Sequence, residues 1–151
     1  MEVCPGSPSN KQHCYPSTSV VPDSHTLLTS TPSGSKFFTV IDLCSAFFSV
    51  LVDEANQYIF VFTWEAKKFT WTVMPQDFTD SPSYFSQILM SDLDNIKFLR
   101  HSTLLQYVDD LLLCSPPQAS SREDRIHLLR LLTLKEHKVT KEKLQFSETQ
   151  V

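Results

Sequence analysis

Three aspartates stand where a chain would not place charge for the sake of its own stability. Asp109 and Asp110 are adjacent and lie between Leu104-Leu105 on one side and Leu111-Leu112-Leu113 on the other. Strands disfavour aspartate, and like charges at one hairpin tip repel. An isolated Asp-Asp pair also suits a solvated turn, because aspartate is common in tight turns. Asp42 shifts the balance: it closes the apolar run Phe37-Phe38-Thr39-Val40-Ile41, a strand that a small sheet could set beside the Asp109 hairpin. Carboxylates gathered there need a compensating cation. Hard oxygen ligands with open positions suit Mg²⁺, which binds through one or two carboxylates plus substrate phosphates. Two such ions about 3.5–4 Å apart activate an attacking oxygen and stabilise a leaving group in phosphoryl transfer. The residues by themselves point to a metal-dependent nucleotidyl or phosphoryl transferase.

The elements that must position these acids are legible in the spacing of apolar residues. Phe37 to Ile41 reads as a buried strand ending at Asp42. Ser45 to Leu51 reads as a short apolar turn or helix. Tyr58 to Trp64 and Phe69 to Val73 read as aromatic-rich strands joined by a hairpin at Glu65-Ala66-Lys67-Lys68. Asp80 is a candidate N-cap, with Pro82 in the first helical turn. Phe85, Ile88, Leu89, Leu93 and Ile96 then follow the helical period. Thr103 to Val108 and Leu111 to Cys114 form a second hairpin with Asp109-Asp110 at its tip. Ser120-Ser121-Arg122-Glu123 is a capping box opening a helix through Ile126, Leu129 and Leu132, and Leu144 to Phe146 begins a further strand. This order predicts an α+β domain, an antiparallel sheet with helices packed on one face.

Composition narrows the function classes. Only Gly6 and Gly34 occur among 151 residues, which excludes glycine-rich phosphate loops of the dinucleotide-binding and P-loop kinds. The net charge of −4 provides no global basic field, although residues 122–151 carry seven Lys/Arg against five Asp/Glu and residues 1–121 carry six against twelve. The slightly basic tail has the character of a solvated helix face. Cys4, Cys14, Cys44 and Cys114 form no CxxC pair, so reduced thiols and an intracellular setting, cytoplasmic or nuclear, are expected. No signal peptide or membrane-spanning run is evident, and no membrane partner is expected. Residues 1–35 hold five Pro, two Gly, eight Ser and four Thr, a composition expected to stay mostly disordered or extended.

At the acidic residues the sequence acquires a family likeness. Tyr107-Val108-Asp109-Asp110 within LLQYVDDLLL resembles the YxDD hairpin of retroviral reverse transcriptases. Phe38 to Phe48 is similar to the family's first catalytic strand and the turn after it. Phe69 to Gln76, followed by Phe78, Ser81-Pro82 and Phe85, resembles its PQG-type segment and following helix. The likeness is greatest to gammaretrovirus-like endogenous retroviral polymerases and runs from about Val20 to Val151. It implies a partial reverse-transcriptase palm over 36–151, an extended lead-in over 20–35, and residues 1–19 without resemblance. Fingers, thumb and ribonuclease H domain are expected to be absent.

The resemblance also implies roles. Asp42 and Asp109 would ligate two Mg²⁺ ions, for which Mn²⁺ can substitute. Asp110 would be the third carboxylate of the catalytic set, and the Leu43 backbone carbonyl would complete the nucleotide-side ion. Phe47 matches the aromatic beneath the incoming sugar, Gln76 a nucleotide-pocket residue and Tyr107 a residue near the primer end. Partners would be a nucleic-acid primer–template and deoxynucleoside triphosphates. Self-association through an exposed sheet edge is a further expectation. A chain without fingers and thumb, with an acidic body, is expected not to polymerise alone. The alternative is a non-catalytic translated relic or interaction module.

The pattern breaks at Met74-Pro75-Gln76-Asp77, where aspartate replaces the family's glycine. Glycine permits close backbone approach and unusual dihedrals, and a carboxylate beside a phosphate site repels it by about 1 kcal/mol at ~5 Å in high dielectric. Asp77→Gly is expected to strengthen nucleotide binding, measured by equilibrium titration; unchanged affinity would refute the idea.

Overall fold

The computed structural model describes residues 5–6, 24–94, 96–98, 102–116 and 121–148. In chain order the elements are β1 (Pro5–Gly6), α1 (Ser24–Thr29), β2 (Phe37–Asp42), β3 (Leu51–Val52), β4 (Val61–Trp64), β5 (Lys67–Thr70), α2 (Ser81–Leu93), β6 (Thr103–Tyr107), β7 (Asp110–Ser115), α3 (Ser121–Leu134) and β8 (Gln145–Glu148). Short 3-10 turns occupy Phe47–Ser49, Glu54–Phe60 and Lys141–Lys143. The main sheet has the order β6-β7-β2-β8, every neighbouring pair antiparallel, and two two-stranded sheets, β1-β3 and β4-β5, lie outside it.

Register divides the main sheet into two unlike faces, because paired residues of an antiparallel ladder point the same way and neighbours along a strand point opposite ways. On one face Phe37, Thr39 and Ile41 sit opposite Ser115, Leu113 and Leu111, and Ile41, Leu111 and Leu113 are fully buried. This face carries α2 and α3. Gln106 lies on it beside Leu111 and donates to the Ser86 carbonyl of α2 at 2.9 Å. Phe85 and Leu89 of α2, with Leu128 and Leu132 of α3, complete the core there with no exposed surface. The opposite face carries Phe38, Val40 and Asp42 against Cys114, Leu112 and Asp110; of these only Cys114 is fully buried. The expected α+β architecture, helices on one face of an antiparallel sheet, is the observed one.

Several local expectations shift. The run Tyr58–Phe60 is the end of a 3-10 turn, and strand begins only at Val61. Asp53 sets this turn by accepting the Ala55 N–H at 2.9 Å, a local capping signal that outweighs the strand propensity of the aromatic residues. The partner strand ends at Thr70, short of Val73. Asp80 makes no side-chain capping bond, whereas Pro82 does fall in the first turn of α2. That helix ends at Leu93, so Ile96 packs against the core from beyond it. In α3 the buried positions are Asp124, Leu128 and Leu132, and Ile126 is exposed. Ser120 of the expected capping box, like residues 7–23 of the expected disordered segment, lies outside the described residues. Within the expected extended lead-in, Ser24–Thr29 is helical: the Thr29 and Ser30 hydroxyls donate to the Thr26 carbonyl and the Ser30 N–H to the Leu27 carbonyl, closing one turn.

The join between α3 and the sheet is polar. Asp124, 1% exposed, accepts from the Ser102 hydroxyl at 2.7 Å, and Ser102 lies 3.0 Å from the Ser115 hydroxyl at the end of β7. A buried hydroxyl deprived of a charged acceptor loses about 1–3 kcal/mol. Asp124→Ala is therefore expected to lower the melting temperature measured by circular dichroism, with Asp124→Asn intermediate because it keeps an acceptor oxygen. An unchanged melt for Asp124→Ala would refute the role of this contact.

Candidate active site

Tyr107, Asp110 and Asp42 form a row across three adjacent strands, Tyr107 opposite Asp110 and Asp110 opposite Asp42. All three project from the face opposite α2 and α3. The apolar alternation of β2 and β7 enforces this: burying Ile41 and Leu111 beneath the helices turns Asp42 and Asp110 outward. The hairpin tip is Val108-Asp109, one residue earlier than its acidic pair led us to expect, and Asp110 belongs to β7. Val108 has φ 52°, in the left-handed region where glycine is preferred, whereas Asp109 is not in the positive region. A β-branched residue held there costs about 1–3 kcal/mol and persists only where its surroundings determine it. The Leu43 N–H supplies one such constraint by donating to the Asp109 carbonyl at 3.1 Å. That bond ties the tip to the end of β2, so all three aspartates share one corner.

The corner has unbalanced electrostatics. Asp42 is held below the usual carboxylate range, first by a hydrogen bond from the Thr140 side chain and further by Lys143, whose Nζ donates to Oδ1 at 3.1 Å; its burial acts in the opposite sense. Asp110, although exposed to solvent, is pushed upward by partial desolvation and then by the negative charges of Asp109 and Asp42. The two side chains also share a hydrogen bond that favours ionised Asp42 and protonated Asp110.

The remaining predicted site residues are dispersed around this corner. Leu43 is buried and bridges Val139. Phe47 is half-buried and packs edge-on against Phe85 with ring centroids 5.8 Å apart, a core contact made from the rim. Gln76 and Asp77 occupy an exposed turn before α2. Asp77 has no positive φ, so its carboxylate charge, and not a forbidden backbone conformation, distinguishes it from glycine. Thr140 and Lys143 were not anticipated. Their only sequence signal was the basic character of the tail, and their approach depends on backbone bonds from Thr140 N–H to the Asp42 carbonyl at 2.8 Å and from Cys44 N–H to the Lys138 carbonyl at 2.7 Å.

Among the described residues, no group of three or more His, Cys, Asp or Glu side chains could by itself hold a metal ion. The donor chemistry at the corner nevertheless fits Mg²⁺, which is bound by one or two carboxylates completed by water and phosphate and not by an all-protein cage. No helix among the described residues is long and apolar enough to cross a membrane.

A mixed helix and antiparallel-sheet domain with paired carboxylates on the face opposite α2 and α3 is the class of structure at hand. The family model described as reverse transcriptase (RNA-dependent DNA polymerase) matches residues 5–151, and the chain belongs to this family. It is 42% identical over 136 residues to the Gag-Pol polyprotein of Walleye dermal sarcoma virus, covering 90% of the chain and 8% of that protein. It is 35% identical over 138 residues to the Gag-Pol polyprotein of Baboon endogenous virus (strain M7), covering 87% of the chain and again 8% of the relative. The chain thus spans about 8% of the length of these curated relatives. Among solved structures it resembles the foamy viral protease-reverse transcriptase in complex with RNA/DNA hybrid, with a TM-score of 0.73 and 26% identity over 85% of this chain and 17% of that one. The chain corresponds to part of the reverse transcriptase domain of retroviral Pol.

Because Asp110 binds its proton more tightly in the folded protein than in the unfolded one, its ionised form costs stability at neutral pH, and that cost vanishes once the pH falls below the unfolded value. Asparagine keeps a donor for Asp42 without the charge. Asp110→Asn is therefore expected to raise the melting temperature at pH 7, with the gain shrinking toward zero near pH 4. A gain that grew on acidification would contradict this account.

Proposed function

We propose that this chain provides the carboxylate corner of a reverse transcriptase palm, with Asp42, Asp109 and Asp110 serving template-directed nucleotidyl transfer in the parent enzyme. The observation that carries this reading is the Tyr107–Asp110–Asp42 row on the face opposite α2 and α3, closed by the Leu43–Asp109 backbone bond. Divalent metal, Mg²⁺ or Mn²⁺, would supply activation of the primer 3′-hydroxyl and neutralisation of charge on the departing pyrophosphate. In this reading Asp42 and Asp109 hold two ions, the Leu43 carbonyl completes one of them, and Asp110 supports the cluster. Phe47 lies beneath the incoming sugar, Gln76 contributes to the nucleotide pocket and Tyr107 stands near the primer end. The substrates are a primer–template and deoxynucleoside triphosphates, and the complex of the foamy viral relative with RNA/DNA hybrid supports the nucleic-acid part of that assignment.

Autonomous polymerisation by the isolated chain lies outside the proposal, because residues 1–121 carry twelve acidic against six basic residues and repel the phosphate backbone. A second reading, a non-catalytic interaction module with a tendency to self-associate, is favoured by the β4–β5 hairpin. Phe62 stacks on Phe69 at 5.7 Å and Trp71 on Phe48 at 5.9 Å, yet all four rings remain exposed, as do Tyr58 and Trp64. Contiguous exposed aromatics of this kind mark contact surfaces.

Calorimetric titration with Mn²⁺ separates the readings. Saturable binding that Asp109→Ala weakens at least about tenfold, equivalent to about 1.4 kcal/mol, is the expected result. Binding indifferent to Asp109→Ala would remove the metal assignment and leave the interaction module. Template-dependent extension by the isolated chain would refute the claim that it does not polymerise alone.

A further inference from the structure

Lys143 reaches the corner from 101 residues away in sequence, and the backbone determines where it arrives. The segment before it is fastened to the end of β2: the Cys44 N–H donates to Lys138, Val139 bridges Leu43, and the Thr140 N–H donates to the Asp42 carbonyl. The 3-10 turn Lys141–Lys143 then projects the Lys143 ammonium onto Asp42 Oδ1 at 3.1 Å. The two partners are unlike. The Asp42 side chain is 17% exposed, whereas that of Lys143 is 68% exposed. Its stem is in solvent, so the ammonium can leave the carboxylate without disturbing the core.

We propose that Lys143 is a built-in counter-ion that competes with divalent metal for Asp42, so that metal binding displaces the ammonium. This rests on the reading of Asp42 as a metal ligand. The competition is electrostatic: an ammonium 3.1 Å from Oδ1 and a divalent ion on the same carboxylate are like charges a few ångströms apart, so each weakens the other's hold on Asp42. The competition is modest. Exposed ion pairs contribute little, and a carboxylate released from one gains about three- to fivefold in affinity for a competing cation. Lys143 thereby offsets part of the like-charge repulsion at the corner without metal, while raising the metal concentration at which it loads.

Mn²⁺ titration of the full 151-residue chain, followed by the electron paramagnetic resonance of free Mn²⁺, tests this. Lys143→Gln is expected to bind Mn²⁺ about three- to fivefold more tightly than the unsubstituted chain, and Lys143→Arg no more tightly than it. Lys141→Gln is the control for net charge: Lys141 is exposed in the same turn and has no ion pair among the described residues. Its substitution is expected to leave affinity nearly unchanged. Equal binding by Lys143→Gln and the unsubstituted chain overturns the proposal while leaving the metal site intact. An equal gain for Lys141→Gln also overturns it, because the effect would then belong to overall charge. Absence of Mn²⁺ binding in every protein overturns the metal reading and this proposal together.

Discussion

The pairing of β2 with β7 is the constraint on which the remainder of this structure depends. Six consecutive cross-strand partners run from Phe37–Ser115 to Asp42–Asp110, and the apolar members of one face hold the register. A slip by one residue would turn the moving strand's apolar set, Ile41 of β2 or Leu111 and Leu113 of β7, away from α2 and α3 and its acid toward the core, so the hydrophobic effect itself positions the carboxylates. The placing of the carboxylates opposite α2 and α3 is thus a by-product of packing on the closed face. Gln106 reinforces the arrangement by linking β6 to Ser86 of α2 through a side chain on the packed face.

Against that rigid background the acidic corner is a place of local conflict. Adjacent and cross-strand carboxylates repel, Val108 occupies a backbone region that β-branched residues avoid, and Asp110 resists ionisation. Conflicts of this kind are tolerated where the surrounding packing overdetermines the geometry, and they concentrate at functional sites. Partial compensation comes from Thr140 and Lys143, both carried to the end of β2 by the segment that leads into β8. The segment before the fourth strand therefore matters electrostatically as much as structurally: its backbone bonds to the end of β2 bring both groups to Asp42.

Much of this architecture was legible in the sequence because it is written in local periodicity. Alternation and apolar runs located β2, β6 and β7, the helical period located the buried face of α2, and the acids at strand ends identified the corner. The failures were also local in origin. Tyr58–Phe60 has strand-forming residues but follows Asp53, whose capping bond winds the backbone into a 3-10 turn. The tip of the acidic hairpin is displaced by one residue because cross-strand pairing, and not the preference of aspartate for turns, sets where the strand resumes.

By itself the sequence determined which residues could do chemistry and which family they resemble, since residue identity and order along the chain are all that those inferences require. It also determined the closed face, because apolar alternation can be satisfied only by burial. Only the tertiary structure decided that Asp110 stands opposite Asp42, that Tyr107 extends the same row, and that Thr140 and Lys143 attend the carboxylate. Those relations join residues remote in sequence through strand register, and register is a property of the assembled sheet. Side-chain charge can be read from a string of letters; the distance between two charges cannot.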